Sequence, residues 1–128
     1  MRTYSTSEFE IRIDDGLLEM RSEGARVSKS GSDGERAFNS LMQSEPIRLA
    51  AFDIRAADFN FSKIELEMRM RHIGRLCRDI PLALIGRGDQ QDQLHIALNV
   101  IGQMGGNARA FRSRGQAIAW LRAQRPAG

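Results

Sequence analysis

The stretch "LAAFDIRAADFNFSKIELEMRM", residues 49–70, decides the fold. It starts with an apolar run that is too short for a helix, and it passes through a short loop to Ser62, which opens a segment of helical period. Apolar residues of this segment recur at i, i+4, i+7 and i+11, on one face of a helix: Leu66, Met70, Ile73 and Cys77. The stretch therefore predicts a buried strand followed by an amphipathic helix.

The same alternation continues towards the C-terminus. "PLALIG" predicts a second buried strand, and "QDQLHIALNVIGQM" predicts a helix that ends at the glycine pair 105–106. "ARAFR" is typical of a short strand, and "SRGQAIAWLRAQ" predicts a last helix whose core anchors are Ala117, Trp120 and Leu121. Strands that alternate with helices indicate a parallel portion of a sheet with helices packed on it.

The N-terminal part predicts antiparallel strands. "FEIRI" alternates apolar and polar residues, and "DDG" is turn chemistry, so we expect a β-hairpin over about residues 8–22. A helix capped by Ser32 or Asp33 should follow. We therefore predict an α/β fold in one domain over residues 1–128, with a core at about 9–122, a mixed sheet with an N-terminal hairpin, and about four covering helices.

Composition excludes several classes of protein. An apolar share of 41% and a charged share of 27% are typical of a soluble globular chain, and no apolar run is long enough to span a membrane. Cys77 is the only cysteine and the N-terminus lacks a secretory signal, so a cytoplasmic location is expected. A net charge of +3 is too small to predict nucleic-acid binding.

No catalytic or metal-binding motif is present in the sequence. His72 and His95 have no second ligand type at metal spacing, so structural or solvent-exposed roles are favoured over metal binding. Cys77 lies on the apolar stripe of its helix, which favours a buried hydrophobe over a nucleophile. Gly86 and Gly88 in "IGRGDQQ" follow a predicted strand, but the third glycine of a dinucleotide site is missing, so an ordinary turn is favoured. We predict no cofactor and no enzymatic activity.

The helix after Ser62 also carries a candidate partner surface. Arg71, Arg75 and Arg78 form a basic stripe, which is either a solvated face or a surface for an acidic or phosphorylated partner. Ile64 and Met68 fall outside the main apolar stripe. Simple core packing is the favoured interpretation for them, and a partly exposed apolar contact is the alternative.

Two stretches carry a resemblance to a known family. "AAFDIRAADFNFSKIELE" resembles the strand, loop and helix of STAS domains, the anti-sigma factor antagonist fold, with Asp53 and Ser62 at the matching separation. "ARAFRSRGQAIAWL" is similar to the C-terminal strand and helix of STAS-like bacterial proteins that are often grouped beside lipid-binding CRAL-TRIO domains. The likeness covers about residues 9–122 in element order.

The resemblance implies a regulatory site around Ser62. In regulatory STAS proteins, a partner kinase phosphorylates the serine at this place. The candidate phosphorylation or partner site therefore comprises Ser62, Asp58, Asn60, Lys63 and Asp53. The residues themselves give Ser62 another role, because "SKIE" is a capping box in which Ser62 and Glu65 satisfy each other's backbone amides. A helix cap is the favoured interpretation, and a phosphorylation switch is the alternative.

We accordingly expect a non-enzymatic, STAS-like protein-interaction module that binds a kinase or regulatory protein. It would use the loop Asp58–Lys63 and a surface of Ile64, Met68, Arg71 and Arg75. The alternative function is a carrier or sensor of a small apolar ligand or lipid, with a CRAL-TRIO-like pocket between helices and sheet. Self-association as a homodimer, through the same helix or an edge strand, is also predicted.

Overall fold

A mixed β-sheet forms the centre of the molecule. The computed structural model describes residues 2–5, 9–26, 32–60 and 62–124, and within them six strands lie in the sheet in chain order. The elements are β1 Arg2–Ser5, β2 Phe9–Asp14, β3 Leu17–Arg26, α1 Ser32–Ser44, β4 Leu49–Phe59, α2 Lys63–Leu76, β5 Pro81–Ile85, α3 Gln91–Gln103, β6 Asn107–Phe111 and α4 Arg114–Ala123. The predicted α/β class, the mixed sheet and the four helices are confirmed. The extent of the domain, residues 1–128, stays a prediction.

The N-terminal half of the sheet is antiparallel. β2 pairs with β3 across a two-residue turn in which Asp15 has φ 51° and Gly16 has φ 80°. Two positive φ angles match the twist of a tight hairpin, which is why Asp-Gly occurs there. The predicted hairpin is therefore confirmed. β1 was not predicted, because its four residues are all exposed and carry no apolar alternation.

The C-terminal half of the sheet is parallel. β3, β4, β5 and β6 run in the same direction, and α1, α2 and α3 connect them on one face. Alternate strand residues point to this face and meet the apolar sides of the three helices. Its buried members include Ile11, Phe38, Phe52, Ile73, Leu84 and Ile101. This side therefore contains the larger core.

The opposite face of the sheet packs against α4. Ala117, Ile118 and Leu121 are buried there against β4 and β5. Trp120 is only half-buried, and its ring centroid lies 5.7 Å from that of Phe111 near the edge strand β6. Of the three predicted anchors of α4, Ala117 and Leu121 are confirmed as fully buried, whereas Trp120 packs against the same cluster but is itself only partly buried.

The apolar stripe predicted for α2 is confirmed. Leu66, Ile73 and Cys77 are buried and Met70 is half-buried. Burial raises the pKa of the Cys77 thiol to about 12, so this residue behaves as a small hydrophobe. None of the helices in the described part of the chain is long and apolar enough to span a membrane.

Candidate functional site

Ser62 caps the N-terminus of α2. Its backbone is extended, with φ −65° and ψ 160°, and its hydroxyl oxygen accepts a hydrogen bond from the Glu65 amide at 3.2 Å. This contact satisfies one of the amides that have no partner within the helix. The Glu65 carboxylate lies 3.4 Å from Nη2 of Arg69. The cap is confirmed, while the return bond of the capping box stays a prediction.

The predicted loop Asp58–Lys63 begins inside a strand. Asp58 belongs to β4, since that strand extends to Phe59 and Asp58 pairs with β3 in parallel register. Its Oδ1 accepts a hydrogen bond from Nη2 of Arg87 at 2.8 Å. The hydrogen bond to Asp58, followed by the one to Asp89, raises the pKa of the Arg87 guanidinium above its ordinary value. Asn60, Ser62 and Lys63 are exposed.

A buried glutamine supports this segment from the neighbouring turn. β5 ends at Ile85 while β4 continues beyond it, so some β4 carbonyls have no β5 partner. Gln90 provides the missing donors: Nε2 donates to the carbonyls of Ile54 and Ala57, each at 2.9 Å. Its Oε1 accepts from the Arg87 amide at 2.8 Å. The turn thus takes the place of a strand beside the end of β4.

Sequence reasoning missed this support. "IGRGDQQ" predicts an ordinary turn between a strand and a helix, and the structure confirms a turn with one 3-10 segment at Gly88–Gln90. Gln90 is only 3% exposed. A glutamine in a polar turn is usually solvated, and the unpaired carbonyls that require it lie more than thirty residues earlier. No local signal in the sequence identifies it.

Asp53 does not join the other candidate residues. It lies on the face of the sheet that carries α4, whereas Ser62 caps a helix of the opposite face. Its carboxylate accepts hydrogen bonds from Arg55, at 3.0 Å from Nε and 2.8 Å from Nη2. The side chain of Asp53 is 13% exposed. The structure therefore assigns Asp53 to an ion pair on the α4 side.

The outward side of α2 carries an exposed apolar pair within a basic surface. Ile64 is 73% exposed and Met68 is 62% exposed, so the favoured expectation of core packing is wrong for both. They lie about half a turn away from Leu66, which points at the sheet. Arg71 and Arg75 follow on the same outward side and are exposed. We call Ile64, Met68, Arg71 and Arg75 the α2 outer surface.

A cavity lies on the inner side of the same helix. It has a volume of about 100 Å³ and lies between the sheet and helices α1, α2 and α3. Most of its wall is apolar, and both Leu66 and Met70 of α2 contribute to it. The predicted position of a ligand pocket, between helices and sheet, thus corresponds to an actual void. Its size is far below that of a lipid-binding pocket.

These features define the class of fold. A sheet with N-terminal antiparallel strands and a parallel half, four helices and a capped helix after β4 is the STAS-like, or SpoIIAA-like, arrangement. No protein-family model matches the sequence, and no curated protein matches it.

Solved structures match over most of the chain. An anti-sigma factor antagonist from Mycobacterium paratuberculosis superposes with a TM-score of 0.67 at 16% identity, over 89% of this chain and 92% of that one. An uncharacterised protein of the DUF3478 family with a SpoIIAA-like fold, from Shewanella loihica PV-4, has a TM-score of 0.63 at 18% identity, over 88% and 91% of the two chains. At these identities the likeness shows the fold, and the resemblance noted in the sequence is confirmed at that level.

Proposed function

We propose that the protein is a non-enzymatic regulatory module that binds another protein through the α2 outer surface and the adjoining segment 58–63. The observation that carries this proposal is the exposure of Ile64 and Met68, one turn apart on a helix whose other side is already buried. Large apolar side chains adjacent to each other in solvent are typical of a contact surface. The STAS-like fold, shared with an anti-sigma factor antagonist, supports the same class of function.

Charge indicates what kind of partner fits. Lys63, Arg71 and Arg75 are exposed around the apolar pair, and Arg71 has a distant ion pair with Glu67 at 4.0 Å. In a two-fold dimer through this surface, the arginines of one copy would face those of the other, which costs free energy. The partner that fits is therefore a different protein with an apolar patch flanked by acidic residues. If the protein self-associates through an edge strand, that strand is β1 or β6.

Binding should be tested with matched variants. Met68→Asp places a negative charge in the apolar pair, and Ala119→Asp introduces the same charge at an exposed position of α4. A photo-crosslinking residue at position 64 would capture the partner, and the purified partner would then be titrated against each variant. We expect Met68→Asp to weaken binding at least about tenfold, Ala119→Asp to leave it unchanged, and added salt to weaken it. Equal affinity for Met68→Asp and wild type would contradict the proposal.

Ser62 is the candidate regulatory position in this module. Phosphorylation would add about −1.5 to −2 charges beside Lys63 and the basic outer surface. Ser62→Ala should lower the free energy of unfolding by about 0.5–2 kcal/mol, and Ser62→Asp should preserve it, because aspartate also caps a helix. A regulatory role requires in addition that phosphorylated protein bind the partner severalfold more or less tightly. If wild-type and phosphorylated protein bound the partner with identical affinity, Ser62 would act only as a helix cap.

A further inference from the structure

The cavity beneath α1, α2 and α3 is larger than an ordinary packing defect. Protein interiors contain few voids bigger than a water molecule, and this one measures about 100 Å³. Its walls come from the sheet and from all three helices. Its apolar lining residues include Met20, Phe38, Phe52, Leu66, Met70 and Ala97.

The wall of the cavity is mostly apolar, and the polar side chains in it are those of Ser22, Glu35, Arg69, His72 and Gln93. Glu35 of α1 forms an ion pair with Arg69 of α2, which joins the two helices across the cavity. The Arg69 side chain is 13% exposed and that of Glu35 is 38% exposed, so the pair is only partly accessible to solvent. The remaining wall offers few polar atoms to a water molecule, which needs two to four partners to stay in place. An apolar occupant therefore suits the site better than water.

We propose that this cavity binds one small, uncharged apolar molecule or group, of the size of an aromatic ring. Dry apolar cavities of about 150 Å³ bind benzene or xenon. The present volume is about two-thirds of that, and two flexible methionines in the wall, Met20 and Met70, adapt to ligand shape more readily than branched side chains. A long acyl chain does not fit. The cavity therefore accepts only ligands smaller than those that a lipid carrier binds.

The ligand site is independent of the docking surface although both use α2. Leu66 and Met70 line the cavity, whereas Ile64 and Met68 point to solvent. A change on one side of the helix therefore need not disturb the other side. This separation allows the two proposals to be tested individually.

Benzene is a suitable probe, measured by two-dimensional amide NMR and by the thermal unfolding midpoint. We expect saturable shifts concentrated on amides around the cavity, together with a midpoint that rises with benzene concentration because the ligand binds the folded state. Ala97→Leu fills the cavity and should weaken benzene binding at least about tenfold. Ala119→Leu, at an exposed position of α4, adds the same group elsewhere and should leave binding unchanged.

Two further variants keep the proposal testable if Ala97→Leu does not fold, and separate the cavity from the α2 outer surface. If Ala97→Leu does not fold, Met70→Ala, which enlarges the cavity, should bind benzene more tightly than wild type. Met68→Asp should bind benzene as wild type does, even where it has lost its protein partner. Absence of saturable shifts in wild type, or equal binding by wild type, Ala97→Leu and Met70→Ala, would overturn the proposal. Displacement of benzene from the same amides by hexadecanoate would overturn the size limit.

Discussion

Replacing Gln90 tests whether the turn 86–90 supports the end of β4. Gln90→Leu keeps a side chain of similar size, so it removes hydrogen bonds without opening a large cavity. The carbonyls of Ile54 and Ala57 lose their donor, and the Arg87 amide loses its acceptor. An unsatisfied buried polar group costs about 1–3 kcal/mol. Because some of these groups lie at partly buried positions that water can reach, we expect a total loss of about 2–5 kcal/mol.

The assay is urea unfolding, followed by the fluorescence of Trp120, which is the only tryptophan. Gln91→Leu is the matched control, since Gln91 is adjacent and exposed, and its effect should stay within about 0.5 kcal/mol. Hydrogen exchange of the β4 amides near Asp58 should also accelerate in Gln90→Leu. An unfolding free energy for Gln90→Leu equal to that of the control would refute the reasoning.

Gln90→Glu separates the donor from the acceptor. It retains an oxygen for the Arg87 amide but supplies no donor to Ile54 and Ala57, and its charge faces their carbonyl oxygens. We expect at least as large a loss as for Gln90→Leu at neutral pH. The decrease in unfolding free energy relative to wild type should become smaller as the pH falls, because a protonated carboxyl group regains one donor. If Gln90→Glu were as stable as wild type at neutral pH, the donors to Ile54 and Ala57 would be unimportant.

Two other predictions concern the core. Because Trp120 is half-buried and Leu121 is fully buried, Trp120→Ala should cost about 1–3 kcal/mol and Leu121→Ala about 2–5 kcal/mol in urea unfolding; the reverse order would contradict the packing of α4. The pKa of Cys77 is raised to about 12 in the folded chain, so the unfolded chain releases the thiol proton first as the pH rises above about 9. The free energy of unfolding should therefore fall between pH 9 and 12 by up to about 1.4 kcal/mol per pH unit through this group, and Cys77→Ala should lack that component.

Local patterns were sufficient for most of the fold. The alternation in "FEIRI", the Asp-Gly turn and the spacing of Leu66, Ile73 and Cys77 are determined by neighbours in sequence, and each predicts its element correctly. The cap at Ser62 belongs to the same group, because its acceptor and its donor lie three residues apart. Strand ends were less predictable. β4 extends to Phe59 because β3 continues to pair with it and the turn 86–90 satisfies its free carbonyls.

The candidate site depended much more on tertiary structure. Asp53 and Ser62 are close in sequence, yet the strand places Asp53 on the side of α4, away from the cap, because alternate residues of a strand face opposite ways. Ile64 and Met68 are apolar and have a helical spacing, but only the position of α2 against the sheet shows that they face solvent. Helical period specifies which residues share a face; the packing of the helix determines which face is buried.

The amino-acid order therefore specified the class of fold, the helix cap and the inert cysteine, since each depends on the chemistry of a few adjacent residues. The buried Gln90, the exposed apolar pair and the cavity beneath three helices became visible only in the folded chain. Each of them depends on groups that are distant in sequence and adjacent in space: two carbonyls of β4 and a side chain of the turn after β5, or three helices that leave a void against one sheet. Such relations follow from long-range packing, which no local pattern encodes.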